Sequence, residues 1–181
     1  MEQVELGQVV SIDNFLDNSE WMQIKNLVLY NSDFPLYFQQ SVTGLEDSCF
    51  KDGFWNYALK HIFYNDNMPM CPKFDIIYDI FWPKFKIFLD CKSLIRAKLN
   101  MFPYTPELKE YDQHVDQKYQ HFGAVFYLNT CDGFTRIGEN TKVDSIENRM
   151  LFFDPSVPHN STTTTNAPIR YNINFNMCRT I

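Results

Sequence analysis

The sequence predicts an α+β fold, with a helical layer packed on a β-sandwich or barrel. Three observations carry this. Apolar residues recur at helical steps in the first half, most clearly over 73–89. Polar and apolar residues alternate strictly in two stretches of the second half, 95–101 within a strand over 94–103, and 170–177. Aromatic residues make up 17% of the chain, and most are Phe or Tyr, which favour strands. A length of 181 residues suits a single domain, with 1–92 mainly helical support and 93–181 the β core.

The elements follow in order. Val9-Val10-Ser11-Ile12 reads as a short strand, and Asp13-Asn14 as a turn. Asn18 or Ser19 can cap a helix, and Trp21, Ile24 and Val28 at helical spacing extend it over 20–30. Pro35 excludes a helix interior, so 33–43 is extended, and 41–53 is a loop. Trp55, Leu59 and Ile62 predict a short helix over 54–63, with His61 at its surface or half-buried. A Pro-broken loop over 65–72 leads to the clearest helix, 73–89. There Phe74, Ile77, Ile80, Phe81, Phe85 and Phe88 form a core stripe, and Pro83 should kink or split it.

The strand over 94–103 places Arg96, Lys98 and Asn100 on one face and Ile95, Ala97, Leu99 and Met101 on the other. A loop over 104–111 runs to His114. The strand over 123–129 is apolar on both faces, as for a strand buried on both sides. Asp132-Gly133 is a turn, 135–143 an edge strand or loop, and 150–153 a buried strand. A hydroxyl-rich irregular stretch surrounds His159. In the last strand Arg170, Asn172, Asn174 and Asn176 alternate with Tyr171, Ile173, Phe175 and Met177.

Composition excludes several function classes. The net charge is −6, and no Lys/Arg cluster offsets it, which argues against nucleic acid as a partner. The sequence carries no apolar run long enough for a bilayer, and acids stand where a signal peptide carries positive charge. A cytoplasmic protein with no membrane partner is expected. The cysteines, Cys49, Cys71, Cys91, Cys131 and Cys178, lack metal-ribbon spacing and read as idle thiols.

The chemistry concentrates late in the chain. His114 and Asp116, two apart on an extended segment, point to the same side. With His159 they form two imidazoles and a carboxylate, a set that leaves positions open on iron. Arg170 heads a strand face lined with asparagines, where a guanidinium can hold a carboxylate through two parallel bonds. Alternatively, His114 and Asp116 are loop residues and Arg170 is a structural ion-pair partner. His121 is expected beside the site or at the surface, not as a ligand.

Ala124-Val-Phe-Tyr-Leu-Asn129, Asp132-Gly-Phe-Thr135, Arg149-Met-Leu-Phe-Phe-Asp154, His159 and the strand from Arg170 resemble the Fe(II)/2-oxoglutarate-dependent dioxygenases. The similarity is greatest to the prolyl 4-hydroxylase-like branch and its small phage-encoded members, and it extends over nearly the whole chain. The resemblance implies a double-stranded β-helix, a jelly-roll-like core with N-terminal helices packed on its larger sheet. It implies Fe(II) on His114, Asp116 and His159, and 2-oxoglutarate held through Arg170, Tyr127 and Thr135. Phe102 before Pro103 stands where the family often has a tyrosine, so Asn100 or Tyr104 would have to compensate. One glycine, Gly133, remains of the family's double glycine.

The implied reaction consumes O2, releases succinate and CO2, and hydroxylates a C–H bond. Related halogenases lack the carboxylate that Asp116 supplies, so halogenation is disfavoured. The expected substrate is a peptidyl proline or other residue, with a nucleobase, lipid or small metabolite as competitors, gated by loops over 37–53 and 104–113. The competing expectation outside enzymes is a non-catalytic β-helix binding or virion-associated module. A phage-encoded version would work in the host cytoplasm.

Overall fold

The computed structural model describes residues 3–43 and 53–179. Most of the loop expected over 41–53, and Cys49 with it, lies outside them. Strand β1 (Val10–Ile12) leads to helix α1 (Asn18–Ile24). The cap is Asp17, one residue before the expected pair. Its carboxylate accepts from the backbone N–H of Ser19 and Glu20, and Glu20 returns a bond to the Asp17 N–H. This reciprocal arrangement satisfies free donors of the first turn. The helix continues as a π-helical turn, Lys25–Leu29.

Strand β2 (Tyr37–Gln39) confirms the extended segment at Pro35. The helix expected over 54–63 is not formed. That stretch enters strand β3 (Ala58–Asn65), and a two-residue strand β4 (Met68–Pro69) folds back on it. The physical reason is pairing: β3 is zipped between two neighbouring strands, and those bonds outweigh a marginal apolar periodicity. The described residues of 1–92 therefore contribute β1 to β4 beside their helices. Helix α2 (Phe74–Phe88) runs unbroken through Pro83, so the expected split is absent.

Strands β5 (Cys91–Pro103), β6 (Phe122–Tyr127), β7 (Phe134–Ile137), β8 (Thr141–Asp144), β9 (Arg149–Phe153), β10 (His159–Ser161) and β11 (Ile169–Arg179) complete the chain. They build two sheets, all antiparallel. The larger runs β1-β9-β6-β11-β5-β3-β2, with β4 beside β3, and the smaller runs β10-β7-β8. Residues 135–143, expected as one edge strand or loop, become the hairpin of β7 and β8.

Alternation assigns the two faces of the large sheet. Ala97, Leu99, Ala124, Phe126, Phe152, Ile173, Phe175 and Met177 face the helices in one apolar core. Phe81 and Phe85 of α2 sit 4.8 and 5.0 Å from Phe175, and Trp21 of α1 meets Phe126 edge-on at 5.6 Å. Val125, Tyr127, Leu151 and Phe153 point the other way and pack on Ile137 and Val143 of the small sheet. No helix among the described residues is long and apolar enough to cross a membrane.

Candidate metal centre

The site lies between the sheets. A backbone pair brings its distant histidines together. The His114 N–H donates to the His159 carbonyl and the His159 N–H to the His114 carbonyl, both at 2.9 Å. Residues that exchange both bonds stand directly opposite each other, and the imidazole centroids are 4.5 Å apart. The Asp116 N–H donates to the Pro155 carbonyl, which keeps the segment extended and returns Asp116 to the side of His114. One nitrogen or oxygen from each of His114, Asp116 and His159 falls within 4.8 Å of the others.

The protonation states suit a cation. Burial and the neighbouring His159 push the His114 pKa down to about 4, leaving it neutral at pH 7. Burial also lowers His159. His159 Nδ1 lies 2.9 Å from the Val157 carbonyl oxygen, which can only accept, so Nδ1 carries the proton and Nε2 keeps its lone pair. Burial works against a charged Asp116. Arg96 and His159, with hydrogen bonds from Asn176 and Arg96, outweigh it and hold the carboxyl far below its usual range. Arg96 Nη2 lies 2.8 Å from Asp116 Oδ1, and Asn176 Nδ2 donates to Oδ2 at 2.8 Å. Asn176 also meets Nε2 of His121, at 3.1 Å. His121 is thus buried beside the site, through Asn176, as one of the expected alternatives had it.

Behind the cavity wall formed by Thr135, Ser161 and Phe102 stands Arg170, which is 0% exposed. Its guanidinium bonds Ser161 Oγ and, at 3.2 Å, Thr135 Oγ1, while the Tyr127 hydroxyl donates to the same Thr135 oxygen at 2.8 Å. Phe102 lies under the guanidinium, 5.3 Å from its carbon. Among the described residues no carboxylate lies within ion-pair distance of Arg170, and its Nε is buried without a partner. A fully buried charge with no counter-charge is costly, and an anion placed against it would relieve that cost.

A cleft with about 550 Å³ of empty space, part of it open to solvent, runs from the two histidines and Asp116 to Thr135 and Ser161, which bond Arg170. His114, Asp116, His159, Thr135, Ser161 and Asn100 all line it. Asn100 donates to Asn172 Oδ1 at 2.9 Å, so the strands' polar faces meet in the cavity as expected. Tyr104 is 52% exposed and does not line the cavity. Gly133 has a close-approach role. A Cβ there would stand 2.5 Å from Arg170 Cδ and 2.7 Å from the Thr163 carbonyl oxygen.

Within the hydroxyl-rich stretch after His159, Thr162, Thr163 and Thr164 are fully buried, and they stitch the loops around Arg170. Thr162 accepts from the Phe134 N–H, Thr163 from the Lys109 N–H, and Thr164 donates to Asp132. Arg136 grips Glu110 through two 2.8 Å bonds, tying the loop over 104–113 to β7. Sequence reasoning missed the ion pair of Arg96 with Asp116, the Ser161 contact and the cavity position of Lys98. The alternation that placed Arg96 and Lys98 on Asn100's face was the available signal. His61, expected at the surface or half-buried, is buried away from the site, bonded to the Pro35 carbonyl and Cys71.

Neither a protein-family model nor a curated protein matches the chain. Solved structures do. A prolyl hydroxylase from Trichoplax adhaerens, in complex with a hypoxia inducible factor oxygen degradation domain peptide fragment, aligns at TM-score 0.63 and 16% identity, over 94% of this chain and 83% of that one. A Pseudomonas putida prolyl-4-hydroxylase aligns at TM-score 0.61 and 13% identity, over 96% and 93%. A viral collagen prolyl hydroxylase from Paramecium bursaria Chlorella virus-1 aligns at 0.58 and 14%, over 95% and 96%. The chain shares its fold with these prolyl hydroxylases.

Proposed function

We propose that the chain is an Fe(II)- and 2-oxoglutarate-dependent dioxygenase on a double-stranded β-helix, hydroxylating a peptidyl proline. One observation carries this: the fully buried guanidinium of Arg170, with no carboxylate partner among the described residues, is bonded to Ser161 and Thr135, which line the same cavity as His114, Asp116 and His159. A metal site alone fits many chemistries. A metal site with a buried anion clamp fits a chelating dicarboxylate. The donor set agrees, since two neutral imidazoles and one ionised carboxylate are the ligands of open-sided non-haem iron.

His114, Asp116 and His159 would hold Fe(II), which with 2-oxoglutarate and O2 supplies oxidative decarboxylation to succinate and CO2 coupled to C–H hydroxylation. Arg96 and Asn176 fix both oxygens of Asp116 and so orient the carboxylate. Arg170 would receive the distal carboxylate of 2-oxoglutarate, with Thr135 and Tyr127 anchoring the guanidinium and Asn100 lining the approach. The sheets and Phe102 keep water from the clamp. The peptide substrate is supported by the Trichoplax adhaerens neighbour, which is in complex with a peptide. Exposed Phe38 and Val115, next in sequence to cavity-lining Gln39, His114 and Asp116, offer an apolar rim for one.

The test is anaerobic. Fe(II) and then 2-oxoglutarate should produce the visible charge-transfer band of the chelate in the native protein, and lose it in His159→Ala and Arg170→Ala. In air, Asp116→Ala should abolish succinate formation, and a proline-containing peptide should stimulate it in the native chain. A folded protein without the band would favour the non-catalytic module. Stimulation by free small molecules alone would remove the peptide.

A further inference from the structure

Strands β5 and β11 form a ladder of four rungs across the cavity face. The register partners are Arg96 and Asn176, Lys98 and Asn174, Asn100 and Asn172, and Phe102 and Arg170. Each rung advances two residues, about 6.6–6.8 Å. At the first rung both side chains bond Asp116. At the last stands the guanidinium of Arg170. Lys98 occupies the second rung, between the metal ligands and the clamp, and its side chain lines the cavity with Asn174, His114 and Asp116.

The cations on this face have different commitments. Arg96 is paired with Asp116. Arg170 is bonded to hydroxyls. Among the described residues the Lys98 ammonium has neither a hydrogen bond nor an ion pair. Burial, then the charge of Arg96, lowers its pKa to about 8, which leaves it mostly protonated at pH 7. An ammonium held this way is relieved by an anion placed against it. The position on the ladder says where that anion sits, beside the metal ligands and on the opposite side of the Asn100 rung from Arg170.

We propose that Lys98 recognises the metal-proximal carboxylate of the 2-oxo acid, so that the cavity meets both ends of a dicarboxylate with cations. This rests on the co-substrate assignment above. A charge-assisted hydrogen bond of this kind strengthens binding by about tenfold or more.

The experiment is calorimetric titration of the Mn(II)-loaded protein with 2-oxoglutarate and with 2-oxopentanoate, which has the same five-carbon chain without the distal carboxylate. Lys98→Met should weaken both acids by a similar factor, and Lys98→Arg should restore much of the loss. Lys98→Gln serves as the second neutral variant should Lys98→Met not fold. Unchanged affinity for both acids overturns the proposal and leaves the co-substrate assignment standing. Weakening of 2-oxoglutarate alone places Lys98 on the distal carboxylate and also overturns it. A native protein that binds no 2-oxoglutarate removes both.

Discussion

Adding a single methyl group at Gly133 should disable the clamp without touching a ligand. In Gly133→Ala the new Cβ would lie 2.5 Å from Arg170 Cδ, 2.7 Å from the Thr163 carbonyl oxygen and 3.0 Å from Thr162 Oγ1. Carbon atoms in contact prefer about 3.5–4.0 Å, so the intrusion on Arg170 Cδ is about 1 Å, and the Thr163 oxygen is also approached more closely than real Cβ atoms come. The Thr163 oxygen is backbone, held by the bonds of Thr162 and Thr163 to neighbouring loops, and yields poorly. The Arg170 stem must give way, and its bond to Thr135 weakens. Overpacking of this kind costs about 1–3 kcal/mol, which at this chain length lowers Tm by roughly 2–12 °C. Misplacing one charge-assisted hydrogen bond costs about 1.5–3 kcal/mol, roughly 10–150-fold in 2-oxoglutarate affinity. Thermal melting and calorimetric titration of the Mn(II)-loaded variant read the two effects. A variant that melts lower yet binds 2-oxoglutarate as the native protein does would refute the link between Gly133 and the clamp.

The other predictions concern the clamp's anchor and the imidazoles. Tyr127→Phe removes the hydroxyl that donates to Thr135, and should weaken 2-oxoglutarate about 2–10-fold. It should leave Mn(II) affinity unchanged, and a parallel loss of metal in the same titrations would show that Tyr127 acts on the site as a whole. For pH, the folded chain holds His114 near 4 and lowers His159 and His61, while unfolded histidine titrates near 6.5. Between those values the unfolded chain binds more protons, so stability of the metal-free protein should fall as pH drops from about 6.5 toward 4, and stay level just above 6.5. Denaturant midpoints at several pH values measure this. A metal-free protein more stable at pH 5 than at pH 7.5 would mean that these imidazoles are held as cations.

The parts of the fold visible in the sequence are those in which one strand or helix face meets one environment. Arg170 to Met177 alternates because one face lines the cavity and the other meets α2. The stripe of α2 is legible for the same reason. The helix expected over 54–63 fails where that condition fails. Trp55, Leu59 and Ile62 fit a helical step, yet Ile62 is half-buried in a strand with a register shift between Ile62 and Tyr64, so neither period is clean. His114, Asp116, His159 and Arg170 came from residue type and resemblance; the first three line one cavity, and Arg170 is bonded to Thr135 and Ser161 in its wall. For the bond of Arg96 to Asp116 only the face was legible, because which long side chain on that face reaches the carboxylate is decided by packing, not by local pattern. The Asp17 cap was missed by one residue, where three polar neighbours compete for the role.

Because β11 serves two masters by parity, its length is under stricter control than its composition. Exchanging Asn174 for another polar residue keeps the odd–even division. Inserting or deleting one residue between Arg170 and Met177 would turn Ile173, Phe175 and Met177 into the cavity and the asparagines into the aromatic core, since a one-residue slip inverts every later side chain. Natural variation along this strand should therefore accumulate as replacements, with gains and losses of residues pushed out to the turns at either end.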